Sequence, residues 1–485
     1  MGAAAAFPRN ERLTLALEPN FMPPESDQPV AAIILAAGKS TRMRSRMPKP
    51  LHPLCGLPMT AHVIRACQRA GIERIVVVVG HEADAVKAGL GSEVEYALQD
   101  NPRGTGDAVN SAKDLLGDWA GTIVILVGDM PLLPVASLET LLARHRESHA
   151  AATLLTALSE DATGYGRIVR DSSGNFVRIV EQKDASPEEQ KIREWNPSIY
   201  AFQGPELWRA LAEVRPNNAQ GEYYLTDTVG ILAAQGKPVL AVPAADARLV
   251  VGINNRVELA NVAEIMRLKI LNEMMLSGVS ITDPASTYID VGVTIGQDTV
   301  IEPNTHLLRG TTIGEQCVIG PSTRIERSAL GNNVRVVMSQ ITESVLGDGV
   351  KVGPFAHLRP NTRLAENVKI GDFVEVKNST LGVGAQASHL SYIGDADIGA
   401  GVNIGAGAIT CNYDGVHKYR TVVGDGAFIG SNSTLIAPVT IGAGAFVAAG
   451  SPITEDAPPG ALAVARVRPT IKPDWASKRK AAQSK

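Results

Sequence analysis

Ile289-Asp290-Val291-Gly292-Val293-Thr294-Ile295-Gly296-Gln297-Asp298-Thr299-Val300-Ile301 opens a ladder in which an aliphatic residue returns at every sixth position. The ladder runs on through Leu307, Ile313, Ile319 and Ile325, often with glycine next, as in Ile295-Gly296 and Ile313-Gly314. After one shortened step it resumes at Leu330 and Val336, then at Leu346, Val352, Leu358, Leu364, Ile370 and Val376, and finally from Val423 through Ile429, Leu435, Ile441 and Val447 to Ile453. The stretch from Thr410 to about Thr421 fits no repeat and is expected as an inserted loop. A hexapeptide period with aliphatic inward positions is the signature of a parallel β-helix, each hexad forming one face and three hexads one coil. More than half of the 46 glycines fall between Asp283 and Glu455, where tight corners demand the positive φ that glycine tolerates. That glycine density excludes a heptad or helical reading.

Working outward, the β-helix is assigned to 281–460 and a tail to 461–485, whose Lys472, Lys478, Arg479, Lys480 and Lys485 read as a solvated, frayed charge run. Upstream, Leu259, Val262, Met266, Ile270 and Met274 recur at three-to-four spacing, predicting a linker helix within 254–280 that stops at Gly278. Residues 29–253 alternate short β-branched runs with helical stretches, the pattern of an α/β, Rossmann-like domain whose parallel sheet is covered by helices. Its clearest strands are Val30 to Leu35, Arg74 to Val79 and Thr122 to Val127, apolar almost throughout as strands buried on both faces should be. Residues 1–28, with Pro8, Pro19, Pro23 and Pro24, read as a disordered leader.

The whole chain of 485 residues is 45% hydrophobic and 20% charged, with net charge -4, so nothing marks its surface for nucleic acid or anionic membrane. Cys55, Cys67, Cys317 and Cys411 show no C-x-x-C pairing, which points to neither a zinc site nor a disulfide framework. The apolar runs are too short to span a bilayer and no signal peptide precedes the charges at Arg9, Glu11 and Arg12. A soluble cytoplasmic protein is expected.

Ligands of open α/β sheets bind beyond the carboxyl ends of the strands. There lies Leu35-Ala36-Ala37-Gly38-Lys39-Ser40-Thr41-Arg42-Met43, with Pro48-Lys49 after it: exposed backbone N–H groups plus two cations that suit a triphosphate. A tight turn carrying solvated charges is the competing reading, while a Walker A loop is rejected because Ile33 stands where its upstream glycine is needed. Gly128-Asp129-Met130-Pro131 follows another strand; its carboxylate suits a hard cation such as Mg2+, with the amide oxygen of Asn254 as a second ligand, or else caps the next turn. In the solenoid, Arg359 and Lys377 stand three hexads apart and should stack on one edge, where they could hold a sugar phosphate. His389, near Tyr392, is the candidate general base for acyl transfer to an amine, since an imidazole titrates near neutrality.

With these motifs the N-terminal half resembles the sugar-phosphate nucleotidyltransferases, and both halves together resemble the bifunctional N-acetylglucosamine-1-phosphate uridyltransferases / glucosamine-1-phosphate acetyltransferases, over all but the leader and tail. The resemblance implies a left-handed β-helix, a homotrimer, Mg2+, and UTP and acetyl-CoA as co-substrates in UDP-N-acetylglucosamine synthesis. It implies UTP contacts at Leu35, Gly38, Arg42, Lys49, Gln99, Gly104 and Thr105, sugar contacts at Gly166, Glu181, Asn196 and Thr226, and Asp129 with Asn254 as the metal pair. In the second half it makes His389 the base, gives Arg359, Lys377, Tyr392 and Asn403 to glucosamine-1-phosphate, and gives Ala406, Asn412, Tyr413, Ser431, Ala449 and Arg466 to acetyl-CoA. Lys49 and Arg42 would neutralise charge during uridylyl transfer. Two positions depart from the family: Ser40 where glycine is usual, and Pro197-Ser198 where a small residue and glycine follow the asparagine. The rival is a single-function sugar-1-phosphate nucleotidyltransferase whose β-helix is structural; His389, Asn412 and Arg466 argue against it.

Overall fold

The structure, a computed structural model, describes residues 29–38 and 41–483; the leader at 1–28 and the step at Lys39-Ser40 lie outside the described residues. The described residues divide into two compact units, one taking in those up to Leu54 together with Pro58–Leu259, the other Cys55–Leu57 together with those from Ala260 onward.

The first unit is built on a ten-stranded sheet. Its strands are β1 (Val30–Leu35), β2 (Arg74–Val79), β3 (Glu95–Leu98), β4 (Thr122–Val127), β5 (Ala152–Leu158), β6 (Gly166–Arg170), β7 (Phe176–Val180), β8 (Glu194–Asn196), β9 (Tyr200–Gln203) and β10 (Val239–Pro243), in the order β3-β2-β1-β4-β9-β5-β8-β6-β7 with β10 on β5. Ala31 and Ile33 of β1 enter one apolar core while Ala32 and Ile34 enter another, which is why the strand is apolar throughout. The expected parallel pairing runs over β3-β2-β1-β4 and recurs where β10 joins β5, but β9 runs antiparallel to β4 and β5, and β8 antiparallel to β5 and β6. β7 folds back antiparallel on β6 through the short turn at Ser173-Gly174, too short for the crossover of a dozen or more residues that a parallel neighbour needs.

In the second unit, parallel strands of two to four residues stack into sheets of eleven, ten and nine strands, three faces of a β-helix. The ladder residues pair coil on coil: Ile289 with Leu307, Leu307 with Ile325, Ile295 with Ile313, Ile301 with Ile319. Five-residue steps hide the coils between Val376 and Thr410 from a strict hexad count; there Leu381, Ala387, Ile393, Ile398 and Ile404 occupy the inward positions. Ile398 pairs directly with Val423, so the intervening residues of that coil include an excursion, pinched where Tyr413 bridges Lys418. The linker helix spans Arg256–Leu276. The tail holds a helix, Trp475–Gln483, rather than a frayed run, since its Ala-, Lys- and Arg-rich composition favours helix.

Two candidate active sites

In the first unit the carboxyl ends of β1 and β4 converge. Lys49 donates to the Asp129 carboxylate at 2.5 Å, joining the phosphate-loop region to the β4 mouth. Thr60 Oγ1 fixes the preceding Gly128 carbonyl at 2.8 Å. Asp129 in turn accepts on its backbone carbonyl from the Ile253 N–H at 3.0 Å, bringing Asn254 to the same mouth. A Cβ on Gly252 would meet Asp129 Oδ1 at 3.0 Å, so glycine permits this approach. Leu35 is half-buried at the end of β1, while Gly38 and Arg42 are exposed. Arg256 Nε holds the Met43 carbonyl at 3.2 Å, tying down the short helix that carries Arg42.

The donor set at Asp129 and Asn254 is oxygen only, and no group of three or more His, Cys, Asp or Glu side chains stands ready for a metal among the described residues. That composition fits Mg2+, which takes one or two protein oxygens and fills its octahedron with phosphate and water, and it does not fit a structural transition-metal cage.

Gln99 is buried after β3, with its Nε2 donating to Asp107 at 2.8 Å and to the Gly104 carbonyl at 3.3 Å. Gly104 has φ +117, and a Cβ there would lie 2.5 Å from the Tyr223 carbonyl oxygen, so only glycine serves. Gly106 N–H to Tyr223 O, Tyr223 N–H to Arg103 O, and Leu225 N–H to Thr105 Oγ1 stitch this segment to the one carrying Thr226. Thr226 donates to Glu181 at 3.1 Å, and burial raises the Glu181 carboxyl above its ordinary pKa. A Cβ on Gly166 would press Ile179 and sit 3.6 Å from Glu181 Oε1, placing Gly166 beside the same carboxylate. Asn196 is buried; its amide nitrogen donates to Tyr200 Oη at 2.7 Å and its oxygen accepts from the Ser198 N–H at 3.1 Å. Ser198 stands at φ +62, the left-handed conformation that glycine adopts freely.

In the second unit, one outward patch gathers residues from neighbouring coils. His389 pairs in register with Asp372 one coil away, and Asp372 Oδ1 lies 2.5 Å from His389 Nδ1. The hydrogen bond to His389 holds the Asp372 carboxyl below its usual range. Arg359 and Lys377 follow the register partners Leu358 and Val376 and therefore stack, and Arg359 also pairs with Glu375 at 2.6 Å. Tyr392 pairs in register with Glu375, and a Cβ on Gly394 would press its hydroxyl, so the phenol rests on the bare backbone at Gly394, the register partner of Lys377. Lys418, and then Arg359, lower the Lys377 ammonium pKa. Asn403 faces out on the adjoining sheet, its neighbour Ile404 being inside.

Asn412 is buried and donates to Asp395, which also accepts from Asn378. Burial alone would raise the Asp395 carboxyl, but the two amides and the nearby Lys418 and Lys377 hold it low. Tyr413 is exposed on the loop thus anchored. Ala406, Ser431 and Ala449 climb one corner: the Ala406 carbonyl accepts from Asn432 N–H and the Ser431 carbonyl from Gly450 N–H, each at 2.8 Å, and Arg466 approaches Gly450 from above. Leu390, beside His389, belongs to the same corner through its bond to Gly407.

Asp372, Lys418 and Glu258, whose carboxylate accepts from the Asn254 N–H at 2.6 Å, stand within these constellations without having been singled out in the sequence. Asp372 comes to light through the register, which sets it one coil before His389.

A family model described as nucleotidyl transferase matches residues 31–292. A GMPPB C-terminal domain model matches 283–372, and a bacterial transferase hexapeptide model (six repeats) matches 420–454. Among curated proteins, the chain is 51% identical over 449 residues to the bifunctional protein GlmU of Brevibacillus brevis, covering 93% of this chain and 97% of the relative. The GlmU of Geobacillus thermodenitrificans is 50% identical over 444 residues, 92% of this chain and 97% of the relative. That of Pelotomaculum thermopropionicum is 51% identical over 451 residues, 93% and 99%.

Proposed function

The chain belongs to the GlmU family of bifunctional proteins, and from that premise we propose that it acetylates glucosamine-1-phosphate with acetyl-CoA and then transfers UMP from UTP to N-acetylglucosamine-1-phosphate, releasing pyrophosphate. The observation that carries this reading is the presence of two chemically distinct constellations, Lys49–Asp129 and Asp372–His389, each on its own scaffold.

In the uridylyl site, buried Gln99 with Gly104 and Thr105 receives the uracil, and Glu181, Thr226, Gly166 and Asn196 receive the acetylated sugar. The sugar-phosphate oxygen attacks the α-phosphorus in line, so positioning and charge neutralisation supply the rate. Lys49 and Arg42 offset the charge that keeps two anions apart; in the free protein Lys49 is held on Asp129, ready to move to phosphate. Mg2+, bound by Asp129 and Asn254, would supply further neutralisation of the triphosphate.

In the acetyl site, Asp372 fixes Nδ1 of His389 as the protonated nitrogen, leaving Nε2 to accept a proton from the attacking amine. Arg359, Lys377 and Lys418 form the cationic edge for the sugar phosphate. The short side chains of Ala406, Ser431 and Ala449 leave a groove for pantetheine that leads to Arg466 for the phosphates of acetyl-CoA, with Asn412 and Tyr413 at the loop.

A homotrimer joined through the β-helix is part of the reading. Met338, Phe355, Phe373 and Leu390 occupy successive corner positions at φ between 42 and 58 with 39–60% of their surface exposed, where glycine or asparagine would cost less in an isolated coil. Such a ridge supports burial against another copy. Four free cysteines and the absence of any helix long and apolar enough to cross a membrane, among the described residues, are compatible with a cytoplasmic site of action.

The test supplies glucosamine-1-phosphate, acetyl-CoA, UTP and Mg2+ and follows free thiol and pyrophosphate separately. Thiol release should precede pyrophosphate release, and omitting acetyl-CoA should abolish both. No thiol release from glucosamine-1-phosphate and acetyl-CoA, with pyrophosphate still released when N-acetylglucosamine-1-phosphate is supplied instead, would leave only the single-function enzyme.

A further inference from the structure

The segment that carries Asn254 has no ladder of its own. Residues 251–254 are neither strand nor helix, and the Ile253 N–H bond to the Asp129 carbonyl ties only its middle. The next tie comes from the linker helix. Asn255 is its N-cap, accepting from the Val257 and Glu258 N–H groups at 2.9 and 3.0 Å. Glu258 stands three residues on, where an ordinary capping box would send its carboxylate back to the N–H of the N-cap itself. Here it reaches one residue further: Oε2 accepts from the Asn254 N–H at 2.6 Å while Oε1 accepts from the Asn255 side-chain amide at 2.5 Å. A cap needs only the bonds to Asn255. The bond to Asn254 instead sets where the candidate ligand stands relative to Asp129.

We infer that Glu258 is a positioning residue for the divalent-cation site, clamping the Asn254 backbone so that its side-chain oxygen and the Asp129 carboxylate are presented together. This rests on the assignment of Asp129 and Asn254 as the cation's protein ligands. The clamp matters because one carboxylate and one neutral amide bind a hard cation weakly unless they are held in place beforehand.

Mn2+ alone serves as the probe, its free concentration read by electron paramagnetic resonance while it is titrated into the full chain, with thermal melts and acetyl transfer recorded on each variant. Glu258→Ala should weaken Mn2+ binding roughly tenfold, as loss of a partner behind a metal ligand typically does. Glu258→Gln, which keeps an acceptor for the Asn254 N–H, should recover to within about threefold, and acetyl transfer should be unchanged in both. A Glu258→Ala protein that melts earlier yet binds Mn2+ like the wild type would reduce Glu258 to a helix cap and overturn the inference. Equal losses in Ala and Gln variants would overturn it too, because charge rather than positioning would then be responsible. Should Glu258→Ala fail to fold, Glu258→Asp carries the same test: its shorter arm cannot reach both amides, and wild-type Mn2+ affinity would sink the clamp. Asp129→Asn separates the premise from the inference, since unchanged binding in that variant would remove the cation assignment itself.

Discussion

His145 shows how a single side chain can set the acid limit of the first unit. It has no exposed surface, its Nδ1 shares a hydrogen bond with Thr153 Oγ1 at 2.9 Å, and burial, helped by Arg146, lowers its pKa from 6.5 to about 4. The folded protein therefore keeps the ring neutral where the unfolded chain would protonate it. Above pH 6.5 neither state gains a proton and the stabilisation is complete. As the pH falls from 6.5 towards about 4 the unfolded state binds the extra proton, and stability declines by up to about 1.4 kcal/mol per pH unit. His145→Gln keeps a polar partner for Thr153 but cannot titrate. Its melting temperature, recorded from pH 7 to 4.5, should start below that of the wild type and fall less steeply, and parallel curves would contradict the argument. Ser198 poses a different residue-scale question. The sequence shows a serine after a proline, but only the backbone reveals the positive φ, set by the turn in which its N–H returns to Asn196.

At the scale of elements, the excursion after Cys411 is pinned at its base by Asp395 on the leaving arm and by the Arg420–Asp397 pair on the returning one. The Asp395 carboxylate receives both Asn378 and the buried Asn412, and the Tyr419 N–H returns to the Asn412 carbonyl at 2.8 Å. Asp395→Ala would leave two amides without their acceptor, a cost of about 1–3 kcal/mol for a buried group, and would free Lys418 from the neighbourhood of Lys377. Acetyl transfer should fall at least tenfold, chiefly through a higher KM for glucosamine-1-phosphate, with uridylyl transfer intact; unchanged acetyl kinetics would show that the loop needs no such anchor. The element scale also marks what was legible in the sequence. A six-residue period repeats often enough to define the solenoid and its inward residues, because each coil must present an aliphatic side chain to the same core. Coils with five-residue steps, such as that through Leu381 and Ala387, lose the phase and were passed over. The antiparallel half of the first sheet was missed for a related reason, since strands buried on both faces read alike whichever way their neighbours run. His389, Lys377 and Arg359 were legible because polar residues stand out against a repeat. Asp372 and Glu258 were not, because a lone carboxylate acquires meaning only when the register or a cap brings it to its partner.

Over the whole molecule, each compact unit has its own scaffold and its own chemistry, and the two constellations share no residue. A charge-neutralising site works through fixed cations and oxygen ligands, whereas an acyl-transfer site works through a proton acceptor, so one substitution should disable one reaction only. His389→Ala removes the group that accepts the amine proton while leaving the β-helix interior untouched, since the imidazole is exposed at the corner. Acetyl transfer should fall by about 100-fold or more, within the span attributed to general-base catalysis, while uridylyl transfer from supplied N-acetylglucosamine-1-phosphate stays at the wild-type rate. Asp129→Ala should do the reverse, losing uridylyl transfer and keeping acetylation. Mixing the two purified variants should then restore flux from glucosamine-1-phosphate to UDP-N-acetylglucosamine, because the acetylated intermediate can pass through solution. Failure of the mixture, with each variant folded and retaining its remaining activity, would mean that the intermediate must be handed on within one assembly, and the independence of the two sites would have to be abandoned.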